Sequence, residues 1–181
     1  MKEFIYPEMM LHVPMCTSKN PQNILIISDS AELIAKETLK YNEITTTAIE
    51  CSLDAVSKLK DTNFDVVICE MDADAILIAQ LNRIVKEDAQ VAMVHPSLDE
   101  VEANKTIISS LGKFFKIVMP YNLGDGSTAL LASKEYHPTA DIILQRSDMI
   151  DGNNFYNCDV HLGAFAMPNY IRKEYLGIIK N

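Results

Sequence analysis

Short continuous apolar runs alternate along the chain with longer stretches in which apolar residues recur every three to four positions. Residues 24–27 form a β-branched and leucine run, and Ser28-Asp29-Ser30 leads into residues 31–41, whose apolar positions have helical spacing. This order predicts a strand, a side-chain cap from one of the three polar residues, and a helix. Residues 45–50 predict a second strand, 53–59 a helix, and Phe64–Cys69 a third strand. The near-continuous hydrophobicity of that third strand marks burial on both faces of a parallel sheet. Residues 76–85 predict a helix, 91–94 a strand, and Val101–Leu111 a helix ended by Gly112 as a C′ residue.

The alternation then stops. Residues 114–119 and 129–132 are two strand-like runs joined by Tyr121-Asn122-Leu123-Gly124-Asp125-Gly126, with no room for a crossover helix, so they are expected to pair as an antiparallel hairpin. Alternating strands and helices imply right-handed crossovers and helices on both sheet faces. The expected fold class is therefore α/β, a Rossmann-like class I S-adenosylmethionine-dependent methyltransferase fold. Its sheet is mostly parallel and ends in a C-terminal antiparallel hairpin.

Composition narrows the function more than the fold. A chain of 181 residues with no linker, repeat or low-complexity tract reads as one domain, residues 1–181. Its formal net charge of −9 disfavours nucleic-acid partners, which are held by clustered Lys and Arg, and favours cationic small molecules. Arg172-Lys173 is the exception among scattered basic residues and is read as part of a solvated helix face. No apolar run reaches the ~20 residues of a membrane span, and the N-terminus lacks the basic-then-apolar order of a signal peptide. A cytoplasmic protein without membrane partners is the expectation. Cys16, Cys51, Cys69 and Cys158 are far apart and are read as reduced packing thiols, and no His has metal-site spacing.

Two blocks are long and unusual enough to carry a resemblance. Residues 3–14, EFIYPEMMLHVP, resemble the helix that opens the catalytic domain of spermidine synthases, where the run is E-F-x-Y-H-E-M-x-x-H-x-P. Asn20-Pro21-Gln22-Asn23 and residues 24–27 are similar to the family's N-P-K-K segment and first strand. Residues 155–168, FYNCDVHLGAFAMP, are similar to its Y-Y-N-x-x-I-H-x-A-A-F-x-L-P, and Ala132-Ser133-Lys134 fits its A-S-K. The family transfers an aminopropyl group from decarboxylated S-adenosylmethionine to putrescine, giving spermidine and methylthioadenosine.

By that resemblance Glu70 stands where the family has its catalytic Asp, with Asp72 and Asp74 nearby as substrate-binding acids and Tyr6 retained from the opening helix. Asp29 and Glu50 are the cofactor-binding candidates, Glu50 as the acid that grips ribose hydroxyls. Decarboxylated S-adenosylmethionine is implied as a co-substrate, with no permanently bound cofactor. The departures are equally concrete. The family's G-G-G-D-G-G loop is Ser28-Asp29-Ser30-Ala31-Glu32-Leu33 here, without a glycine, and its Asp falls on Ala31. Ala73 falls where the second catalytic-loop Asp stands, Pro7 replaces a His, and the amine-binding P-T-Y-P-S-G-x-W loop is reduced to a Tyr and two glycines. Only residues 51–63 separate the second and third strands, so one strand-helix unit of the family is missing and Glu50 matches either of two family strands.

Bland readings stand beside these. Ser28, Asp29 or Ser30 serves as a helix cap, Glu70, Asp72 and Asp74 favour a helix dipole, and His12 and His161 are hydrogen-bonded packing residues. The resemblance also implies a homodimer and a polyamine or adenosyl ligand as partners, and it implies that the family's small N-terminal β-domain is absent. The sequence admits two other functions. One is a catalytically inactive homologue acting as a binding or oligomerisation module, which the lost glycines favour. The other is a receiver-like signalling module, which lacks an Asp at the strand end and a Lys after Val94.

Overall fold

The computed structural model describes residues 2–181. Along them run α1 (Ile5–Thr17), β1 (Asn23–Ile27), α2 (Glu32–Thr38), β2 (Thr45–Ile49), α3 (Leu53–Ser57), β3 (Phe64–Cys69), α4 (Ala75–Ile84) and β4 (Val85–Met93). Then follow α5 (Val101–Leu111), β5 (Ile117–Asn122), β6 (Thr128–Ser133), α6 (Leu144–Asp148), α7 (Cys158–Ala164) and α8 (Asn169–Glu174). The six strands make one sheet in the order β2-β1-β3-β4-β6-β5. β2, β1, β3 and β4 are mutually parallel, and β6 runs antiparallel to both β4 and β5. This is the Rossmann-like methyltransferase fold with its terminal reversed pair.

The period-two pattern of the central strands explains why they lie in the middle. Leu25, Ile27, Val67, Cys69, Val91 and Met93 face one side, where α4, α5 and α8 cover them with residues such as Leu81, Ile108 and Tyr175. Ile24, Ile26, Val66, Ile68 and Ala92 face the other, beneath Met9, Met10 and Val13 of α1 and Ile34 of α2. α1 is buried from Pro7 to Thr17 and so lies against the sheet. No helix among the described residues is long and apolar enough to cross a membrane.

Four details differ from expectation. α2 is capped by Ala31 without a side-chain hydrogen bond. The Ser28 hydroxyl instead accepts from Ser30 N at 2.9 Å, and the Asp29 carboxylate turns away to Cys51 N at 2.8 Å. β4 begins at Val85, six residues earlier than its apolar run, because a register shift pairs Phe64 with Val85 and Val66 with Gln90. That bulge lets Lys86 reach Asp65, whose carboxylate also accepts from Gln22 N and Asn23 N. The hairpin strands are 117–122 and 128–133, so Tyr121 and Asn122 belong to β5. Gly112 ends α5 with φ −65, not in the left-handed region. A Cβ there would stand 2.7 Å from Lys180 Cε, the far end of a flexible side chain that can move aside.

Candidate active site

Chain order reverses direction between β1 and β3, with β2 on one side and β4 on the other. Such a switch point opens a crevice at the carboxyl ends of parallel strands. The ladder continues one residue past each strand: Ser28 N donates to Ile49 O, Glu70 N to Ile27 O and Val94 N to Cys69 O, at 3.0, 2.9 and 3.1 Å. Those bonds line up Ser28, Glu70 and Val94 along one edge, with Asp29, Glu50 and Cys51 beside them.

Into that edge reaches Tyr6 from the first turns of α1. Its hydroxyl donates to Glu70 Oε1 at 2.6 Å, joining residues 64 positions apart. Burial, and then the neighbouring Glu70 carboxylate, push the Tyr6 phenol well above its ordinary range. Tyr6 is therefore a fixed donor that orients one carboxylate oxygen. Among the described residues no hydrogen bond reaches Glu70 Oε2. Asp125 adds to the same upward pressure on Tyr6, which places this hairpin-loop acid within electrostatic reach of the pair. Sequence reading missed Asp125. The available signal was its position in the loop leaving β5, which enters the same sheet edge as the parallel strands.

The other expected residues separate. Asp29 Oδ1 accepts from Cys51 N at 2.8 Å, tying the ends of β1 and β2 together. Burial, then Asp29 and Glu70, raise the Cys51 thiol, so the two acids and the thiol share one patch. Glu50 is exposed at the end of β2, which lies directly beside β1 as the outermost strand. Asp72 is exposed in the turn after β3. Asp74 caps α4, its Oδ1 accepting from Leu77 N at 2.7 Å. No residue from 28 to 33 has a positive φ, so this loop turns without the conformation that glycine would supply.

The charge pattern is one-sided. Residues 28–33, 50–57, 70–77, 94–97 and 121–127 contain no Lys or Arg, and they contribute Asp29, Glu32, Glu50, Asp54, Glu70, Asp72, Asp74 and Asp125. The strand ends thus present negative charge suited to a sulfonium or a protonated amine. Two clefts lie elsewhere. One of about 360 Å³ flanks β5 and includes Met119, Met167, Arg172 and Leu176. Another of about 250 Å³ lies between the hairpin loop and α7, against Phe155 and Val160. Neither contains any of the carboxylates above.

The two histidines of the matching blocks are packing residues. His161 is fully buried; its Nε2 donates to Pro138 O at 3.0 Å and its Nδ1 accepts from Tyr156 OH at 2.8 Å. His12 is also fully buried, between Tyr41 OH at 2.7 Å and Glu37 Oε2 at 2.9 Å. Burial lowers both imidazoles, His161 to about 4. Tyr121, the aromatic remnant of the amine loop, has no exposed surface and packs on Phe165 with ring centroids 5.4 Å apart. It is core, not a clamp.

A doubly wound sheet with an acidic edge at its parallel strand ends and a tyrosine-oriented carboxylate defines a Rossmann-like protein with a candidate small-molecule site. The family described as Spermine/spermidine synthase domain matches residues 3–116, and the chain belongs to it. A polyamine aminopropyltransferase of Helicobacter acinonychis (strain Sheeba) is 26% identical over 204 residues, spanning 95% of this chain and 78% of the relative. One from Helicobacter pylori (strain G27) is 25% identical over 212 residues, 99% of this chain and 80% of the relative. Among solved structures, a spermidine synthase in complex with the transition-state analogue AdoDATO has a TM-score of 0.81 at 21% identity, covering 95% of this chain and 75% of that one. Spermidine synthase from Thermotoga maritima gives 0.79 at 22% identity, covering 95% and 74%.

Proposed function

We propose that this chain is a polyamine aminopropyltransferase, moving the aminopropyl group of decarboxylated S-adenosylmethionine to putrescine. The observation that carries the reading is the Tyr6–Glu70 contact of 2.6 Å at the sheet's switch point. Glu70 takes a proton from one amine of putrescine, and the freed nitrogen attacks the aminopropyl carbon attached to sulfur. The new N–C bond forms as the C–S⁺ bond breaks, and the electron pair returns to sulfur as neutral methylthioadenosine. Tyr6 acts as a positioning residue that holds the carboxylate on its approach line. Asp72 and Asp125 attract the remaining ammonium group, while Asp29 and Glu50 face the adenosyl portion at the ends of β1 and β2. Asp74 is assigned to the same acidic field, although its carboxylate is engaged at the α4 terminus.

No cofactor is held permanently in this reading, since the adenosyl compound is consumed as a co-substrate. The protein acts in the cytoplasm as a homodimer. Support comes from the names of the relatives, from the shared fold and from the acidic composition of the strand ends. The test is methylthioadenosine release from decarboxylated S-adenosylmethionine and putrescine. Glu70→Ala is expected to lower kcat at least about 100-fold, the contribution of a positioned general base. Tyr6→Phe is expected to lower it less. Absence of turnover together with absence of saturable binding of either ligand to the native chain would overturn the assignment.

A further inference from the structure

β2 is an outermost strand, and among the described residues nothing lies beyond it. Thr45 N donates to Gln22 O and Ile49 O accepts from Ser28 N, so residues 45, 47 and 49 direct their backbone groups toward β1. Alternation then points the N–H and C=O of Thr46 and Ala48 outward, without a partner among the described residues. Unpaired edges of this kind are templates for another strand, and proteins usually blunt them with Pro, Lys, a bulge or a covering segment. The opposite edge is treated that way, for β5 contains Pro120 and its Val118 exchanges two backbone hydrogen bonds with Lys180. β2 has no such device. It reads Thr-Thr-Thr-Ala-Ile, β-branched in four of five positions, uncharged, free of proline and paired with β1 without a bulge.

Between β2 and β3 the chain has only the five-residue α3, and no strand follows β2 on its outer side.

We propose that the outer edge of β2 is where two copies of this chain associate, their β2 strands pairing antiparallel about a two-fold axis. The inference deepens the homodimer stated above by naming its surface, and it does not depend on whether the strand ends catalyse transfer. The register centred on Thr47 is the one that pairs both outward residues within the strand. Thr46 lies opposite Ala48 of the second copy and Ala48 opposite its Thr46, so the outward groups form two reciprocal hydrogen-bonded pairs. Thr47 meets its own symmetry mate, a Thr–Thr cross-strand pair. This register also keeps like charges apart, because Glu50 falls opposite Ile44 and Glu43 opposite Cys51. Both copies carry net negative charge, so a register that opposed the glutamates would be repelled.

The test is light scattering on the native chain together with amide hydrogen exchange. A dimer is expected, with the Thr46 and Ala48 amides protected at concentrations where it is populated and unprotected on dilution to the monomer. Ala48→Pro removes an outward N–H and no bond to β1, so it is expected to give a folded monomer. A native dimer whose Thr46 and Ala48 amides exchange freely would place the contact elsewhere, overturning the surface while leaving the homodimer standing. A native chain that is monomeric at all concentrations would overturn both. Methylthioadenosine release, assayed separately, decides the aminopropyltransferase reading whichever result is obtained.

Discussion

Glu8 shows how much one side chain can hold. Its carboxylate is fully buried, with Oε1 accepting from Asn154 N at 2.9 Å and Oε2 from Phe155 N and Tyr156 N at 2.8 Å each. One residue of α1 thereby satisfies three backbone donors of a segment nearly 150 positions away. Glu8→Ala leaves those N–H groups unpaired, that of Tyr156 in a buried residue, and we expect it to lower unfolding free energy by about 3 kcal/mol in a urea titration. His161 sets the acid side of stability. Its imidazole is held to about 4 by burial against an ordinary 6.5, so the unfolded chain binds the proton more readily. The contribution is fully present above pH 6.5 and is lost as pH falls through 4, at about 1.4 kcal/mol per unit. His12, also lowered, adds in the same direction. His161→Gln is expected to flatten the decline of stability between pH 6.5 and 4 relative to the native chain, and unchanged pH dependence would remove His161 from this role.

Among elements, the hairpin loop is the most sharply specified. Gly124 has φ +88, and a Cβ there would stand 2.2 Å from the Phe155 ring. Gly124→Ala is expected to cost about 1–3 kcal/mol from the strained backbone and the clash. Phe155→Ala should relieve the steric part in the double variant, measured as a coupling in a double-mutant cycle. The glycine was legible as a turn residue; Phe155 as its lid was not, because sequence carries no sign of which ring crosses which loop. The same limit explains the misplaced start of β4, where Lys86, Glu87 and Asp88 hide a strand whose extension rests on a bulge and an ion pair with Asp65. It also explains the α2 cap, since three adjacent polar residues all had the chemistry and the turn geometry gave it to none of them. Continuous apolar runs such as Phe64–Cys69 were readable because double-sided burial leaves no polar position to confuse the period.

For the whole molecule, the sequence carried the parallel core, the reversed pair and the family, because apolar periodicity and two long motif blocks are both local. The shortness of the connection between the second and third strands was legible too, and the sheet order leaves β2 at an edge. Half of the candidate site was readable in the same way. Tyr6 lies in the opening block, Glu70 stands where the family has its catalytic Asp, and the two meet, whereas Asp125 is brought in only by the fold. The central claim is that the acidic edge at the β1/β3 switch point binds the adenosyl ligand despite its glycine-free loop. The most direct measurement is a titration of the isotopically labelled chain with methylthioadenosine, following backbone amide shifts by NMR. Saturable changes at residues 28–33, 50–52, 70–74 and 121–127 are the expected result. Changes confined to the cleft around Met119, Met167 and Leu176, or none at millimolar ligand, would contradict the account.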